Sequence, residues 1–159
     1  MKKQTSMLAI IFFLSTLVLS AQSPADSLAD NSQLSTLQNQ TAKLTVVITD
    51  LDSDKGEIRI GLCNSKENYE SDSPYKKALT KIKNNTATYT FENIPYGIYA
   101  VKFYHDENMN GKLDRNFFGM PKESYGFSNN ATGNFGPPDF EDAKFTINKS
   151  ELTIEISAQ

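Results

Sequence analysis

Residues 91–101 read Phe-Glu-Asn-Ile-Pro-Tyr-Gly-Ile-Tyr-Ala-Val. Apolar and polar side chains alternate from Ala87 through Tyr89 to Phe91, Pro95-Tyr96-Gly97 reverses the chain, and Ile98 to Tyr104 (IYAVKFY) runs back. Proline presets φ for a turn and glycine accepts the conformations that side chains resist, so Pro-x-Gly between two apolar runs marks a tight reversal. The returning run is apolar on nearly both faces, which places it at the centre of a sheet with cover on both sides.

Outward from this hairpin the same alternation recurs. Leu44, Val46 and Ile48 alternate with Thr45, Val47 and Thr49, and Ile58, Ile60 and Leu62 alternate with Glu57, Arg59 and Gly61. Ala143, Phe145 and Ile147 form a shorter run, and Leu152, Ile154 and Ile156 alternate with Thr153, Glu155 and Ser157. A period of two means strands with one buried face, and Val46, Ile60, Phe91, Val101, Phe145 and Ile154 are the expected core. Turn residues fall between the runs at 52–56, 84–85 and 148–150. One stretch, Ser73–Lys83, has apolar residues Tyr75, Ala78, Leu79 and Ile82 at helical spacing, so a short amphipathic helix is expected there, with a strand over Ala78–Ile82 as the alternative. Short strands without a long helix predict an all-β, two-sheet antiparallel sandwich of prealbumin-like or Ig-like type. The chain has no Trp and one Cys, so the disulfide and core tryptophan of a true immunoglobulin domain are absent.

The chain of 159 residues divides into three parts on composition. Lys2 and Lys3 precede a 13-residue apolar run, Met7–Leu19, followed by the small residues Ser20 and Ala21. This pattern predicts a signal peptide over 1–21, cut after Ala21 or Ser20, and a secreted or periplasmic product with no stable membrane anchor after cleavage. The run falls short of the roughly 20 apolar residues a spanning helix needs. Residues 22–42 are Ser-, Gln-, Asn- and Asp-rich without an aromatic, a composition expected of a flexible linker. Residues 43–159 are the expected folded domain. The net charge of -3 offers no footprint for nucleic acid and no overall attraction to an anionic membrane. Cys63 and His105, each the sole residue of its type, exclude multi-Cys and multi-His metal centres. Cys63 is expected to be buried and inert, and His105 to be packed or at an edge.

Residues 105–140 hold five of the eight glycines, three of the six prolines and six aromatics. A loop of this length is functional or disordered as a rule, and the aromatics argue for an ordered one. Asp106, Asn108 and Asn110 recur at every second position, Gly111 follows, and Asp114 stands ninth from Asp106. This is the first half of a calcium loop: alternate side chains of a tightly curled segment turn oxygens inward, and glycine permits the sharp bend. Lys112 would add its carbonyl. The twelfth position holds Phe117 in place of a bidentate Glu, so no EF-hand is expected, and Phe117 should pack instead of ligating. Glu123, Asp139 and Glu141 are candidates to complete the shell, Glu123 being preferred. A solvated turn is the alternative, because Asp, Asn and Gly also form turns by local hydrogen bonding.

Three segments together carry a family resemblance: HDENMNGKLD (105–114), FGMPKESYGFSNN (118–130) and GPPDFEDAKF (136–145). With the hairpin at 91–100, they resemble the DUF2141 family over about residues 43–157. The hairpin itself resembles those of transthyretin-like and carboxypeptidase-regulatory-like modules. The family resemblance implies an exported bacterial β-sandwich and brings no activity with it.

Function therefore rests on the loop. The expected protein is a non-catalytic secreted or periplasmic binding or structural module whose loop is ordered by calcium. Tyr125, Phe127, Asn129, Asn130 and Phe135 supply stacking faces and amides of the kind that bind a glycan, a peptide or an envelope protein; packing onto the sandwich edge is the alternative for the aromatics. Two other classes stand beside this: a cell-envelope assembly protein with no small ligand, and a metal-dependent hydrolase using Asp106, Asp114 and Glu123. The last lacks a nucleophile–base pair in the sequence, and no catalytic residue is assigned.

Overall fold

The computed structural model describes residues 40–159 except Asp72. The expected signal peptide lies outside these residues, as does the linker up to residue 39. In chain order the strands are β1 (Thr41–Thr49), β2 (Glu57–Cys63), β3 (Lys76–Thr80), β4 (Ile82–Lys83), β5 (Thr86–Pro95), β6 (Gly97–Asp106), β7 (Tyr125–Phe127), β8 (Phe145–Ile147) and β9 (Glu151–Ser157). Two short helices, α1 (Lys66–Glu70) and α2 (Phe140–Ala143), cover one sheet. The protein is an all-β sandwich. One sheet has the order β4-β5-β1-β9, and the other β3-β2-β6-β7, with β8 also on β6. Pairing is antiparallel except between β1 and β9, which run in the same direction from Lys43 beside Glu151 to Thr49 beside Ser157.

β1 begins two residues before Lys43, because Ala42 is buried and Thr41 and Ala42 already pair with Pro95 and Ile94 of β5. The expected helix over Ser73–Lys83 is replaced by β3 and β4, so the alternative of a strand over Ala78–Ile82 holds in part, broken at Lys81. Ala78 and Ile82 go inward while Tyr75 and Leu79 stay exposed, and pairing with Ile58–Leu62 of β2 satisfies the backbone that a helix would have satisfied internally. A helical turn forms earlier, at α1, where Ser65 and Asn68 close a capping box.

β6 is central, as its two apolar faces predict. Tyr99, Val101 and Phe103 join Leu44, Val46, Ile48, Ile60, Phe91 and Ile156 between the sheets. Ala100 lies on the other face, in a second cluster with Cys63, Tyr69, Phe127, Phe140 and Ala143. Phe145 and Ile154 border the main core half-buried, not enclosed as expected, because each sits on a strand at the rim of its sheet. β7 and β8 share one edge of β6 and leave a gap at Val101. The Ser128 hydroxyl fills that gap, receiving a hydrogen bond from Val101 N–H at 2.8 Å and reaching the Ala143 carbonyl at 2.6 Å.

Candidate cation-binding loop

β6 ends at Asp106, and the chain curls at once. Asp106 is fully buried, and its carboxylate gathers the loop around it. One oxygen accepts from Asn110 N–H at 2.9 Å; the other accepts from Gly111 N–H at 2.8 Å and from Arg59 Nε at 2.6 Å. Burial alone would raise this carboxyl, but the bonds from Gly111, Arg59 and Asn110 outweigh it and hold Asp106 below the usual carboxylate range. The same bond raises Arg59 in turn. Gly111 turns with φ +82°, where a side chain would be strained, so the bend expected of this glycine is present.

The remaining loop residues close on Asp114. Asn108 and Asn110 each donate an amide N–H to one of its oxygens, at 2.7 and 3.0 Å. Their own carbonyl oxygens receive Asn110 N–H and Lys112 N–H. Glu123 is buried and braces the loop across its width, accepting Glu107 N–H at 3.0 Å on one oxygen and Asp114 N–H at 2.8 Å on the other. Tyr104 donates its hydroxyl to the Gly111 carbonyl. The fold thus brings Asp106, Asn108, Asn110, Asp114 and Glu123 together. Among the described residues, no three of His, Cys, Asp and Glu are grouped so as to hold a metal by themselves. Any cation here would need the neutral oxygens of Asn108, Asn110 and the Lys112 carbonyl beside the carboxylates.

Beyond residue 114 the chain forms a tight hairpin, with Arg115 bridged to Pro121. Phe117 is at its tip and almost wholly exposed, contrary to the expected packing: the hairpin carries it away from the sandwich. The residues proposed for ligand stacking are distributed by the fold. Phe127 is buried in the second cluster, where it fills space against Tyr69 and Tyr125, so its ring is not a surface stacking face. Tyr125 is half-buried. The Asn129 amide donates to the Asp142 and Lys144 carbonyls, and Asn130 accepts from Ser157 N–H; both are fastening the chain. Phe135 is fully exposed.

His105 is packed, with Nε2 at 2.7 Å from the Lys55 carbonyl. Cys63 is buried, and burial pushes its thiol up to about 11, the state of an inert cysteine.

A family model described as an uncharacterized protein conserved in bacteria, DUF2141, matches residues 46–155, from β1 to β9 and across the whole loop. The chain belongs to the DUF2141 family. No curated protein and no solved structure gave a match.

Several side chains that hold the loop in this DUF2141 domain, Tyr104 among them, carry no mark of that role in the sequence. Arg59 lies on the outward face of β2, beside Tyr104 in register, and Glu57 takes its other end at 3.0 Å. Asp52 accepts the Ser124 hydroxyl just behind Glu123. Alternation alone marks Arg59 as outward-facing; the carboxylate it meets depends on the β2–β6 register, which strand patterning does not reveal.

Proposed function

We propose that the protein is an exported, non-catalytic binding or structural module whose 106–123 loop is ordered by calcium. The observation that supports this reading is that five oxygen-bearing side chains are linked in one loop: backbone N–H groups hold Asp106, Asn108, Asn110 and Glu123, and the Asn108 and Asn110 amides hold Asp114. Asp106, Asn108, Asn110, Asp114 and the Lys112 carbonyl would hold the ion, with Glu123 completing the set through its spare lone pairs. Asp106, Asp114 and Glu123 set against Arg59 leave a local charge of about -2, which suits a divalent cation. Calcium accepts six to eight oxygens in irregular geometry, so neutral amide oxygens serve it well; magnesium demands a smaller octahedron. The Asn108 and Asn110 N–H groups neutralise Asp114 from within, and an ion would have to displace them. Presenting the two amide oxygens to an ion would also take them from Asn110 N–H and Lys112 N–H, so binding would rearrange the loop's own bonds. The ordered loop would present the domain to a glycan, a peptide or an envelope protein.

Thermal unfolding with and without calcium tests the reading. At ten times Kd the ion adds about 1.4 kcal/mol to stability, a rise of a few degrees in Tm. Magnesium should do much less, and Asp114→Ala should abolish the response while leaving the sandwich folded. A Tm unmoved by 10 mM calcium, on the order of ten times the weakest Kd of extracellular calcium modules, overturns it and leaves the loop a self-satisfied turn.

A further inference from the structure

The hairpin that follows the loop is built rigidly and then exposes apolar surface. Asn116 N–H bonds to the Met120 carbonyl and Gly119 N–H to the Asn116 carbonyl, while the Asn116 side-chain oxygen accepts from both Phe118 and Met120. Lys122 N–H returns to the Asp114 carbonyl and closes the base. On this frame Phe117 is 98% exposed, Phe118 85% and Met120 62%, with the two rings edge to face at 5.5 Å. Exposing two adjacent phenylalanines in water is unfavourable, and an ordered tip that does so fits a surface it enters. The cations that flank it in sequence say which surface. Lys112, Arg115 and Lys122 are exposed and stand against Asp114, whose oxygens already hold two amides. Segment 112–122 is therefore net positive on a chain of charge -3. The Arg115 guanidinium gives one N–H to the Gly119 carbonyl, which fixes its fork beside the apolar tip.

We propose that the Arg115–Pro121 hairpin docks on an anionic lipid surface, with Phe117, Phe118 and Met120 entering the headgroup–acyl boundary and Lys112, Arg115 and Lys122 meeting lipid phosphates. A tip of three exposed apolar side chains, with Arg115 held beside it and Lys112 and Lys122 flanking it in sequence, supplies both parts of interfacial binding: apolar burial gives depth, and charge gives preference for anionic lipid. The neighbouring Asp106, Asp114 and Glu123 carboxylates are taken up by hydrogen bonds within the loop, and carboxylates beyond about 10 Å are screened in 0.1 M salt. The preformed tip loses little conformational freedom on docking. The tip needs no ion, since Asn116 holds Phe118, Gly119 and Met120, but Lys112 and Asp114 are shared with the calcium loop, so the test is run without calcium.

The chain has no Trp, so Phe118→Trp makes a single reporter at the tip and Leu79→Trp, on exposed β3, a control. The experiment uses the full chain, vesicles of phosphatidylglycerol or phosphatidylcholine, and EDTA throughout. A reporter at the tip separates docking by the hairpin from any effect of the apolar run at 7–19. The expected result is a blue-shifted emission and quenching by brominated lipid for Phe118→Trp on phosphatidylglycerol, little on phosphatidylcholine, and none for Leu79→Trp. Adding Lys112→Gln and Lys122→Gln should weaken docking about thirtyfold. Emission unchanged on phosphatidylglycerol, equal shifts at both reporters, or no loss on removing the two lysines overturns the proposal. So does a tip shift that appears without vesicles and rises with protein concentration, which would make the hairpin a contact between copies of the chain.

Discussion

Asp106 is the residue on which the loop is hung, and its environment sets a pH dependence. Its folded titration lies below the unfolded value near about 3.9. The stabilisation it supplies is therefore complete above that pH and disappears as pH falls through the folded value. Asp106→Asn should flatten the acid limb of the stability curve. It should also cost about 2–3 kcal/mol at pH 7, below the roughly 3–5 for a fully buried pair, because Arg59 keeps Glu57 and some solvent. Urea unfolding at pH 3 to 7 measures both; acid limbs that superimpose would assign the effect to other carboxylates. For the same reason Asp114, and not Asp106, is the position at which to remove calcium sensitivity alone. Cys63 is the second residue-scale case. A buried thiol pushed up to about 11 should stay unlabelled by thiol reagent at pH 8 and react only as denaturant opens the domain. Rapid native labelling would show a looser second cluster than the packed one of Tyr69, Phe127 and Phe140.

At the scale of elements, strand identity was legible and strand neighbourhood was not. The period-two runs marked β1, β2, β5 and β9, the short run at 143–147 marked β8, and the apolar returning run marked β6 and its central position, because burial on one or both faces leaves its mark on composition. The 73–83 segment misled, since the helical spacing of Tyr75, Ala78, Leu79 and Ile82 also fits an edge strand that buries only Ala78 and Ile82. The loop's Asp-Asn-Asn-Gly order was legible for the same local reason as its bend. The Arg59–Asp106 pair was not, because the two are 47 positions apart and meet through register alone. The turn before β2 carries a further prediction. Gly56 has φ +69°, and a Cβ there would lie 2.1 Å from the Asp106 carbonyl oxygen. Gly56→Ala should cost at least about 1–3 kcal/mol and push β2 from the loop, whereas the same change at open Gly136 should be nearly silent. Core burial grades likewise: Phe91→Ala should cost about 3–5 kcal/mol and Phe145→Ala clearly less, its ring being half-buried. Equal costs in denaturant titrations would mean that the rim is as tightly packed as the centre.

For the whole molecule, β9 is the last strand in sequence and the edge partner of the first described strand. Ile156 is fully buried, Ala158 N–H bonds to the Thr49 carbonyl, and Gln159 exchanges backbone hydrogen bonds with Tyr125. Ending the chain after Asn148 should therefore abolish cooperative melting instead of trimming an appendage, as circular dichroism would show; a retained single transition would mean that β1 tolerates a bare edge. The parallel course of β1 and β9 has one more consequence, for anyone who would splice this domain. Thr41 and Ser157 lie at opposite poles, roughly 30 Å apart at strand rise, and the C-terminal pole is the one that bears the loop, through Tyr125. A circular permutant would need a bridge of about nine extended residues to join the ends. Copies fused in tandem through short spacers would instead queue nose to tail, each one's entry strand facing the exit pole of the copy before it. The domain is thus a natural bead for a linear string and a poor candidate for a ring.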